Sequence, residues 1–419
     1  MDNQALLRPY SRLDAQPTLR LVSGRGSYVF DDGGVRYLDA VGGLWNLTLG
    51  LDNPALYEAA TRQLSKCAYA SLFDDGTHAP AEMLAQRLAE LLGGQGRQVY
   101  LSTTGSSAVE AGVWIARAHF KSLQRPTKSR ILSFDQSYHG GTSLSISASG
   151  SMREAVSRWG ELAPGFDLVP SPVDEAASLE AIAKLLTTAG HEIACFLIEP
   201  ILASAGVIVP SAEYYRELSR LCRRHEVLVM ADEVATGLGR CGTLLVSSSL
   251  GLDPDIVTLS KGLSAGYFPV AATVVSAAVM DPLRSARFPL LFGSTQDGNP
   301  VGCALALAAL EYVLANDLCA NAVHAGQVLR SGLAACGGQS IVKEIRGMGL
   351  MTGLELAHAD AARTPFSYQE VLEVRELLKR KQLLVCMFRT GISLFPSLMI
   401  TQDEINAVIG PIGEVLSSF

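Results

Sequence analysis

Lys261 stands two residues after the apolar segment Ile256–Leu259 and opens a loop of glycine, serine and alanine. A lysine at the end of a buried strand is costly unless it is exposed, paired with an acid or used covalently. The pattern therefore makes Lys261 a candidate catalytic lysine. A surface lysine whose stem lies along apolar residues would give the same pattern.

Asp232 ends a second apolar segment, residues 227–231, and is followed by Glu233 and a glycine-rich turn. In an open α/β sheet, ligands bind beyond the carboxyl ends of the strands, so Asp232 lies where a cofactor would bind. A helix N-cap or a Mg²⁺ ligand is an alternative interpretation of this acid pair.

A turn of small polar residues that includes Gly105 and Ser106 separates the strand-like segment 98–101 from the helical segment 108–120. Free N–H groups and hydroxyls at a helix start can bind a phosphate. No Gly-Lys-Ser/Thr sequence follows, so this is not the phosphate loop of P-loop nucleotide-binding proteins. An ordinary Ser/Thr helix cap remains the alternative.

Tyr138 precedes His139 and a pair of glycines. An aromatic ring at such a place can lie flat on a planar ligand, and the glycines permit close approach, although packing is the common role of such pairs. A polar loop, residues 293–300, leads into a predicted long helix. A phosphate cradle, a stacking aromatic, a buried carboxylate and a strand-end lysine together match the needs of one cofactor.

In this order and spacing, the motifs resemble class III (omega-type) aminotransferases, which are pyridoxal-phosphate enzymes of fold type I. The resemblance extends from about Gly24 to Ile405. Its most specific parts are residues 232–240, 254–262 and 298–300. It implies pyridoxal 5'-phosphate as the cofactor and transamination as the reaction.

The resemblance implies roles for the residues that surround the cofactor ring. Lys261 matches the lysine that forms the Schiff base, and Asp232 matches the acid that pairs with the pyridine nitrogen. Val234 and Tyr138 match the residues that pack on the two ring faces. Glu199 matches a supporting acid beneath the site.

The resemblance also implies how the phosphate is held. Gly105 and Ser106 match the phosphate-binding turn, and Thr295 matches a threonine that reaches the phosphate from the neighbouring subunit. We therefore expect a homodimer with its active sites at the interface.

The implied reaction is ping-pong transfer of an amino group from an amino acid or omega-amine to a keto or aldehyde acceptor. A buried Asp232 would raise the pKa of the ring nitrogen, so that the ring withdraws electrons from the substrate carbon. Lys261 would then carry the proton. An aminomutase, decarboxylase or epimerase on the same scaffold stays open, and so does, more distantly, a non-catalytic cofactor-binding protein.

Three residues are candidates for substrate binding. Trp45 resembles a tryptophan that walls the pocket in the omega-amine branch, with a core tryptophan as the alternative, and Phe73 is a weaker candidate. Alignment on residues 398–401 puts Cys386 where many members keep a carboxylate-binding arginine, with Arg389 three residues later. Either Arg389 takes over that role or carboxylate recognition differs.

The middle of the chain alternates strand-like and helical segments, which predicts a parallel sheet covered on both faces, in an α/β fold. The predicted strands are 98–101, 130–134, 195–198, 227–231, 256–259 and 270–275, and the predicted helices are 108–120, 175–187 and 212–225. A small strand meander is predicted within residues 21–40, and helices and strands alternate after residue 301. We therefore expect a large cofactor-binding domain, 53–300, and a smaller α+β lobe from residues 1–52 and 301–419.

The composition narrows the functional classes. In 419 residues, 34 basic and 41 acidic side chains give a net charge of −7 without a basic run, which argues against nucleic acid as a partner. The apolar stretches are too short to span a membrane, and the N-terminus has no signal pattern, so we expect a cytoplasmic protein without a membrane partner. The eight cysteines are scattered without metal-ligand spacing, so no metal site is expected.

Overall fold

The computed structural model describes residues 5–13, 17–94, 96–336 and 340–419. The N-terminal part forms an antiparallel meander, as predicted, because Asp31 accepts hydrogen bonds from the backbone N–H groups of Gly33 and Val35 and thereby stabilises the turn between its last two strands. These elements are β1 (Leu21–Arg25), β2 (Tyr28–Asp31), β3 (Arg36–Asp39), α1 (Gly42–Trp45), α2 (Pro54–Lys66) and α3 (Ala79–Leu91).

The middle of the chain forms a seven-stranded sheet with helices on its faces. Its strands are β4 (Gln98–Ser102), β5 (Arg130–Phe134), β6 (Phe166–Val169), β7 (Ile193–Ile198), β8 (Leu228–Asp232), β9 (Ile256–Leu259) and β10 (Ala271–Val275). Its helices are α4 (Gly105–Ser122), α5 (Ser143–Ala148), α6 (Arg153–Ser157), α7 (Glu175–Ala189), α8 (Ala212–Arg224), α9 (Val246–Ser249) and α10 (Ala277–Ser285).

The strand order is β4-β10-β9-β8-β7-β5-β6. All six predicted strands of this sheet are present, and β5 to β9 pair in parallel. The predicted parallel sheet has one exception, β10, which runs antiparallel to both neighbours. The loop 260–270 before β10 contains only a short 3-10 turn, and a parallel return would require a longer crossover.

The C-terminal part begins with the predicted long helix. Its elements are α11 (Pro300–Ala315), α12 (Leu318–Ala335), β11 (Val342–Met348), β12 (Met351–Leu356), α13 (Tyr368–Arg380), β13 (Leu383–Leu384), β14 (Cys386–Phe388), β15 (Gly391–Leu394) and α14 (Gln402–Leu416). An antiparallel sheet has the order β11-β12-β15-β14. Strand β13 pairs in parallel with β3, so that segments from both ends of the chain share one sheet.

Helix α11 joins two parts of the core because it is apolar on all sides. Its residues Val301 and Leu305 pack in one buried cluster, whereas Ala306 and Leu310 pack in another with α3. Among the described residues, no single helix is long and apolar enough to cross a membrane; α11 and α12 pass that test only together, with a bend of 66° between them.

Candidate active site

The neighbouring strands β8 and β9 end at the same edge of the sheet. Asp232 is the last residue of β8 and pairs in register with Thr258 of β9, while Lys261 follows β9 by two residues. The sheet register therefore brings the acid and the lysine to one place.

The Asp232 carboxylate is buried, with 5% of the residue exposed, and it is held by three donors. Its Oδ2 lies 2.8 Å from Nδ1 of His139, and its Oδ1 accepts from the Thr258 hydroxyl at 3.1 Å and from the Val234 N–H at 3.2 Å. A carboxylate can accept further hydrogen bonds, so Asp232 is oriented without being saturated.

His139 was not among the predicted site residues, although it directly follows Tyr138, which was predicted. It is buried, and its backbone N–H donates to the Ser149 hydroxyl at 2.7 Å. Its Nε2 is buried and has no hydrogen-bond partner among the described residues. The imidazole thus holds the Asp232 carboxylate in position.

Glu199 follows β7 and lies next to this pair. Its Oε1 accepts from the Tyr138 N–H at 2.8 Å, and its Oε2 accepts from the Ala203 N–H at 3.3 Å. Burial raises the pKa of Glu199 to about 7; nearby His139 lowers it and Asp232 raises it further. Glu199 therefore exchanges its proton near neutral pH.

Lys261 opens a 3-10 turn with a left-handed backbone, φ 37°, which a non-glycine residue adopts only under constraint from its surroundings. Burial lowers the pKa of its amine, whereas the acids Asp232 and Glu199 act in the opposite direction. A lowered pKa favours the neutral amine, which is the nucleophilic form.

An aromatic wall stands beside the lysine. The Lys261 Nζ lies 4.6 Å from the centroid of the Trp45 ring, and that ring stacks on Phe395 with a centroid distance of 4.4 Å. Phe395 was not among the predicted residues. Phe73, in contrast, is 51% exposed and lies near Gly293, where an added Cβ would stand 3.3 Å from the Phe73 ring. The structure therefore brings Trp45 to Lys261 but places Phe73 elsewhere.

The start of α4 forms a cradle without side-chain obstruction. A Cβ at Gly105 would stand 2.9 Å from Val234 Cγ1, and a Cβ at Gly140 would stand 2.4 Å from the Ser106 hydroxyl oxygen. That hydroxyl accepts from the Gly141 N–H at 3.1 Å. A helix start leaves its first N–H groups outside the helix's own hydrogen bonds, which suits a phosphate.

Tyr138 joins the cradle to the acid network. Its backbone N–H is bound by Glu199, its ring is half-buried, and its hydroxyl lies 3.0 Å from the Tyr10 hydroxyl. Burial and this hydrogen bond raise the pKa of Tyr138.

Two predicted residues lie away from this cluster. Thr295 is exposed, and its carbonyl accepts from the Tyr69 hydroxyl at 2.9 Å. Arg389 is exposed in the turn between β14 and β15. Cys386 is half-buried instead, and its thiol is close enough to contribute to the electrostatic surroundings of Lys261.

These residues fit pyridoxal phosphate. The open cradle at Gly105 and Gly140 suits its phosphate, the oriented Asp232 suits its ring nitrogen, and the Lys261 amine suits its aldehyde. In the part of the chain that the structure describes, no group of three or more His, Cys, Asp or Glu side chains could hold a metal ion.

A family model described as aminotransferase class-III matches residues 10–416, and the chain belongs to this family. It is 31% identical over 428 residues to probable gamma-aminobutyrate transaminase 2, mitochondrial, of Oryza sativa subsp. indica, covering 97% of this chain and 85% of that protein. It is 30% identical over 435 residues to vanillin aminotransferase of Capsicum frutescens, covering 98% and 94%.

A solved structure of an amine transaminase from an uncultivated Pseudomonas species, in its PLP-bound form, matches with a TM-score of 0.92 and 32% identity, covering 99% of this chain and 98% of that one. The chain is a fold type I α/β enzyme, a PLP-dependent aminotransferase that moves an amino group from an amino donor to a keto or aldehyde acceptor. The predicted fold class, cofactor and reaction are confirmed.

The raised pKa of Glu199 predicts a pH-dependent stability. The folded protein holds this proton up to about pH 7, whereas the unfolded chain releases it near 4.5, so the stabilisation is complete below 4.5 and is lost as the pH rises through 7. At about 1.4 kcal/mol per pKa unit, the loss is roughly 3 kcal/mol. Glu199→Gln should remove this pH-dependent stabilisation, while the amide carbonyl of the glutamine still accepts the hydrogen bond from the Tyr138 N–H.

Urea unfolding of the cofactor-free protein between pH 4.5 and 8 measures this difference. The free energy of unfolding of the wild type should fall more steeply with pH than that of Glu199→Gln. Glu180→Gln, at an exposed position on α7, should follow the wild type. Parallel curves for all three proteins would show that Glu199 titrates normally.

Proposed function

We propose that Lys261 and Asp232 are the catalytic residues of this aminotransferase. The observation that carries the proposal is the hydrogen-bonded Asp232–His139 pair. It lies at the end of β8, beside the end of β9, the strand that leads to Lys261. A fold alone would not require a buried acid and a lysine at this edge.

The proposed roles follow from the positions of the two residues. Bound PLP supplies an electron-withdrawing ring that weakens the C–H bond of the amine substrate. The Asp232 carboxylate favours the protonated ring nitrogen, and His139 keeps that carboxylate in place. The Lys261 amine holds the cofactor between turnovers and moves the proton at the substrate carbon.

The proposed cofactor contacts surround these two residues. The N–H group of Gly105 and the hydroxyl of Ser106 bind the phosphate, and Val234 and Tyr138 pack on the ring faces. Glu199 holds the Tyr138 backbone and thus the position of that ring. With its pKa raised to about 7 by burial, Glu199 gains a proton as the pH falls below neutral.

We propose that the substrates are small molecules, an amino acid or omega-amine donor and a keto or aldehyde acceptor. Trp45 forms one side of their pocket, since its ring lies over the Lys261 amine. Phe73 is proposed to reach the pocket of the other subunit, because it lies on the same exposed surface as Thr295.

We propose a homodimer in which Thr295 completes the phosphate site of the partner. Three exposed aromatic residues surround the Thr295 loop: Tyr69 donates to the Thr295 carbonyl, Phe73 lies against Gly293, and Trp114 lines a cavity of about 160 Å³ together with loop residues 292–294 and 297. Exposed aromatic clusters of this kind mark protein interfaces.

Residues 53–300 are proposed as the large cofactor-binding domain, and residues 1–52 with 301–419 as the small one, supported by the pairing of β3 with β13. A cytoplasmic location is proposed because the buried cysteines Cys195, Cys222 and Cys241 are free thiols, as is usual in a reducing compartment.

Asp232→Asn tests the proposed electron sink. The amide keeps the shape of the acid but cannot stabilise a positive ring nitrogen, so turnover should fall by more than ~100-fold while the cofactor stays bound. Steady-state rates, with the cofactor absorbance recorded on the same samples, measure both quantities. Asp281→Asn, at an exposed position on α10, is the control and should change neither. A loss below threefold in Asp232→Asn would make this carboxylate structural.

Mixing two variants tests the proposed dimer. Thr295→Ala should weaken cofactor binding by roughly tenfold or more, because a hydrogen bond to a charged group is lost. Lys261→Ala should be inactive. When the two are unfolded together and refolded at limiting cofactor, each mixed dimer should regain one intact site, made of Lys261 from one chain and Thr295 from the other.

The recovered activity should follow the fraction of mixed dimers expected from the mixing ratio. Light scattering should show that the refolded protein has the mass of a dimer. The interface that this requires is large, on the order of 2,000 Å² or more. A fully active monomer would refute the proposed dimer, and so would mixtures that gain no activity.

A further inference from the structure

Resting on the proposed function, we propose that Arg346 is a positioning residue, which acts through the loop 199–208 to hold Glu199 and the Tyr138 backbone in place. Arg346 belongs to β11 of the C-terminal antiparallel sheet, whereas the loop follows β7 of the central sheet and begins with Glu199. Hydrogen bonds between neighbouring groups connect the two.

The Arg346 guanidinium is fixed by two acids of its own sheet. Its Nη1 lies 2.7 Å from a carboxylate oxygen of Glu344 and 2.6 Å from one of Glu355. Its central carbon also lies 5.7 Å from the centroid of the Phe388 ring. Because a guanidinium holds its donors in a rigid plane, these contacts determine the direction of Nε. The Nε group donates to the Gly206 carbonyl at 2.7 Å.

Gly206 is the residue at which loop 199–208 packs against this sheet. A Cβ at Gly353 of β12 would stand 2.5 Å from the Gly206 carbonyl oxygen, and a Cβ at Gly206 itself would stand 2.6 Å from the Phe388 ring. Side chains are thus excluded at both positions. The backbone of the loop therefore lies directly against the sheet, an approach that glycine permits.

The peptide group that follows Gly206 carries this contact into the loop. Its N–H, which belongs to Val207, donates to the Ala203 carbonyl at 3.2 Å. The Ala203 N–H donates to Oε2 of Glu199 at 3.3 Å, and Oε1 of the same acid accepts from the Tyr138 N–H at 2.8 Å. An unbroken series of hydrogen bonds therefore leads from the C-terminal sheet to a proposed ring-face residue.

Val207 holds this peptide group in a strained conformation. Its φ of 63° lies in the left-handed region, which a β-branched residue adopts only when its surroundings impose it. Its side chain is fully buried in a cluster that contains Phe395 and is packed against by Trp45. Packing fixes the Val207 side chain, and Arg346 fixes the carbonyl of the strained peptide. Loss of the bond from Arg346 should let this peptide relax and shift the loop.

Lys343 provides a matched control for the charge network of the sheet. It lies on the same strand, β11, and its Nζ pairs with Glu355 at 2.9 Å. That ion pair joins two strands of one sheet, so its loss should leave the contact between Arg346 and the loop intact. A role of Arg346 that is confined to the sheet would make the two basic residues equivalent.

Hydrogen–deuterium exchange of the cofactor-free protein tests the link without turnover. Arg346→Met removes the donors, so peptides that cover 199–208 and 136–141 should exchange roughly tenfold faster or more, the scale of one lost hydrogen bond with a charged donor. Peptides from α12 should exchange as in the wild type, and Lys343→Met should change none of these rates. Acceleration throughout the chain, or none in the loop, would overturn the proposal.

Arg346→Lys separates the hydrogen bond from the charge. It keeps a positive charge beside the two acids but lacks the Nε donor, so it should accelerate exchange in the same peptides as Arg346→Met. This variant also serves if Arg346→Met does not fold. Wild-type exchange in Arg346→Lys would mean that the charge, and not the bond to Gly206, matters, which contradicts the proposal.

Titration of the cofactor-free protein with pyridoxal phosphate shows whether the link reaches the site. The dissociation constant, followed by absorbance, should rise roughly tenfold in Arg346→Lys and stay at the wild-type value in Lys343→Met. Glu199→Gln breaks the link at the acid, because its amide oxygen can replace only one of the two carboxylate oxygens. The variant with both Arg346→Lys and Glu199→Gln should therefore bind no more weakly than the weaker single variant. Losses that multiply would show that Arg346 acts by another route, contrary to the proposal.

The role of Arg346 and the proposed catalytic residues fail separately. Wild-type exchange in both Arg346 variants, together with an inactive Lys261→Ala, would refute the role of Arg346 alone. Accelerated exchange in the loop, together with a Lys261→Ala that turns over normally, would refute the proposed catalytic residues alone.

Discussion

The Asp232 carboxylate lies at the centre of the site, buried between donors that come from three separate segments. An ionised carboxylate without partners in such surroundings would be destabilised by several kcal/mol. Its donors are His139 from the loop after β5, Thr258 from the neighbouring strand β9 and the Val234 N–H from the turn after β8. The orientation of the Asp232 carboxylate consequently depends on the correct folding of all three segments.

The same pairing of β8 with β9 determines where the lysine stands. Since Asp232 is opposite Thr258, the chain leaves β9 beside the acid and turns sharply at Lys261, whose left-handed backbone is held by the surrounding fold. Glu199 supports this arrangement, because its carboxyl group accepts a hydrogen bond from the Tyr138 N–H. The nearby His139 and Asp232 in turn affect the pKa of Glu199. The register of β8 with β9 thus positions the acid and the amine together, and Glu199 fixes the backbone of the aromatic residue.

The central strands and the helices α4, α7 and α8 were predictable because long apolar runs and amphipathic segments report burial directly. Strand β6 was missed because Asp167 interrupts its four residues at the edge of the sheet. The direction of β10 depends on how loop 260–270 folds, which apolar patterns do not report. In the site, Lys261 and Asp232 stood out through their positions after apolar strands, whereas His139 looked like a packing residue until its distance to Asp232 was known. Whether Cys386 or Arg389 takes the position of the family's carboxylate-binding arginine depends on the register of the β14–β15 hairpin. A sequence alignment does not determine that register.

Covalent trapping of the cofactor tests most directly whether the strand-end lysine is the centre of the chemistry. The holoenzyme is treated with borohydride, which fixes a Schiff base as a stable secondary amine, and its peptides are then sequenced by mass spectrometry. The pyridoxyl group should be found on Lys261, and Lys261→Ala should release its cofactor under the same treatment. A pyridoxyl group on another lysine, or a wild-type protein that retains none, would contradict it.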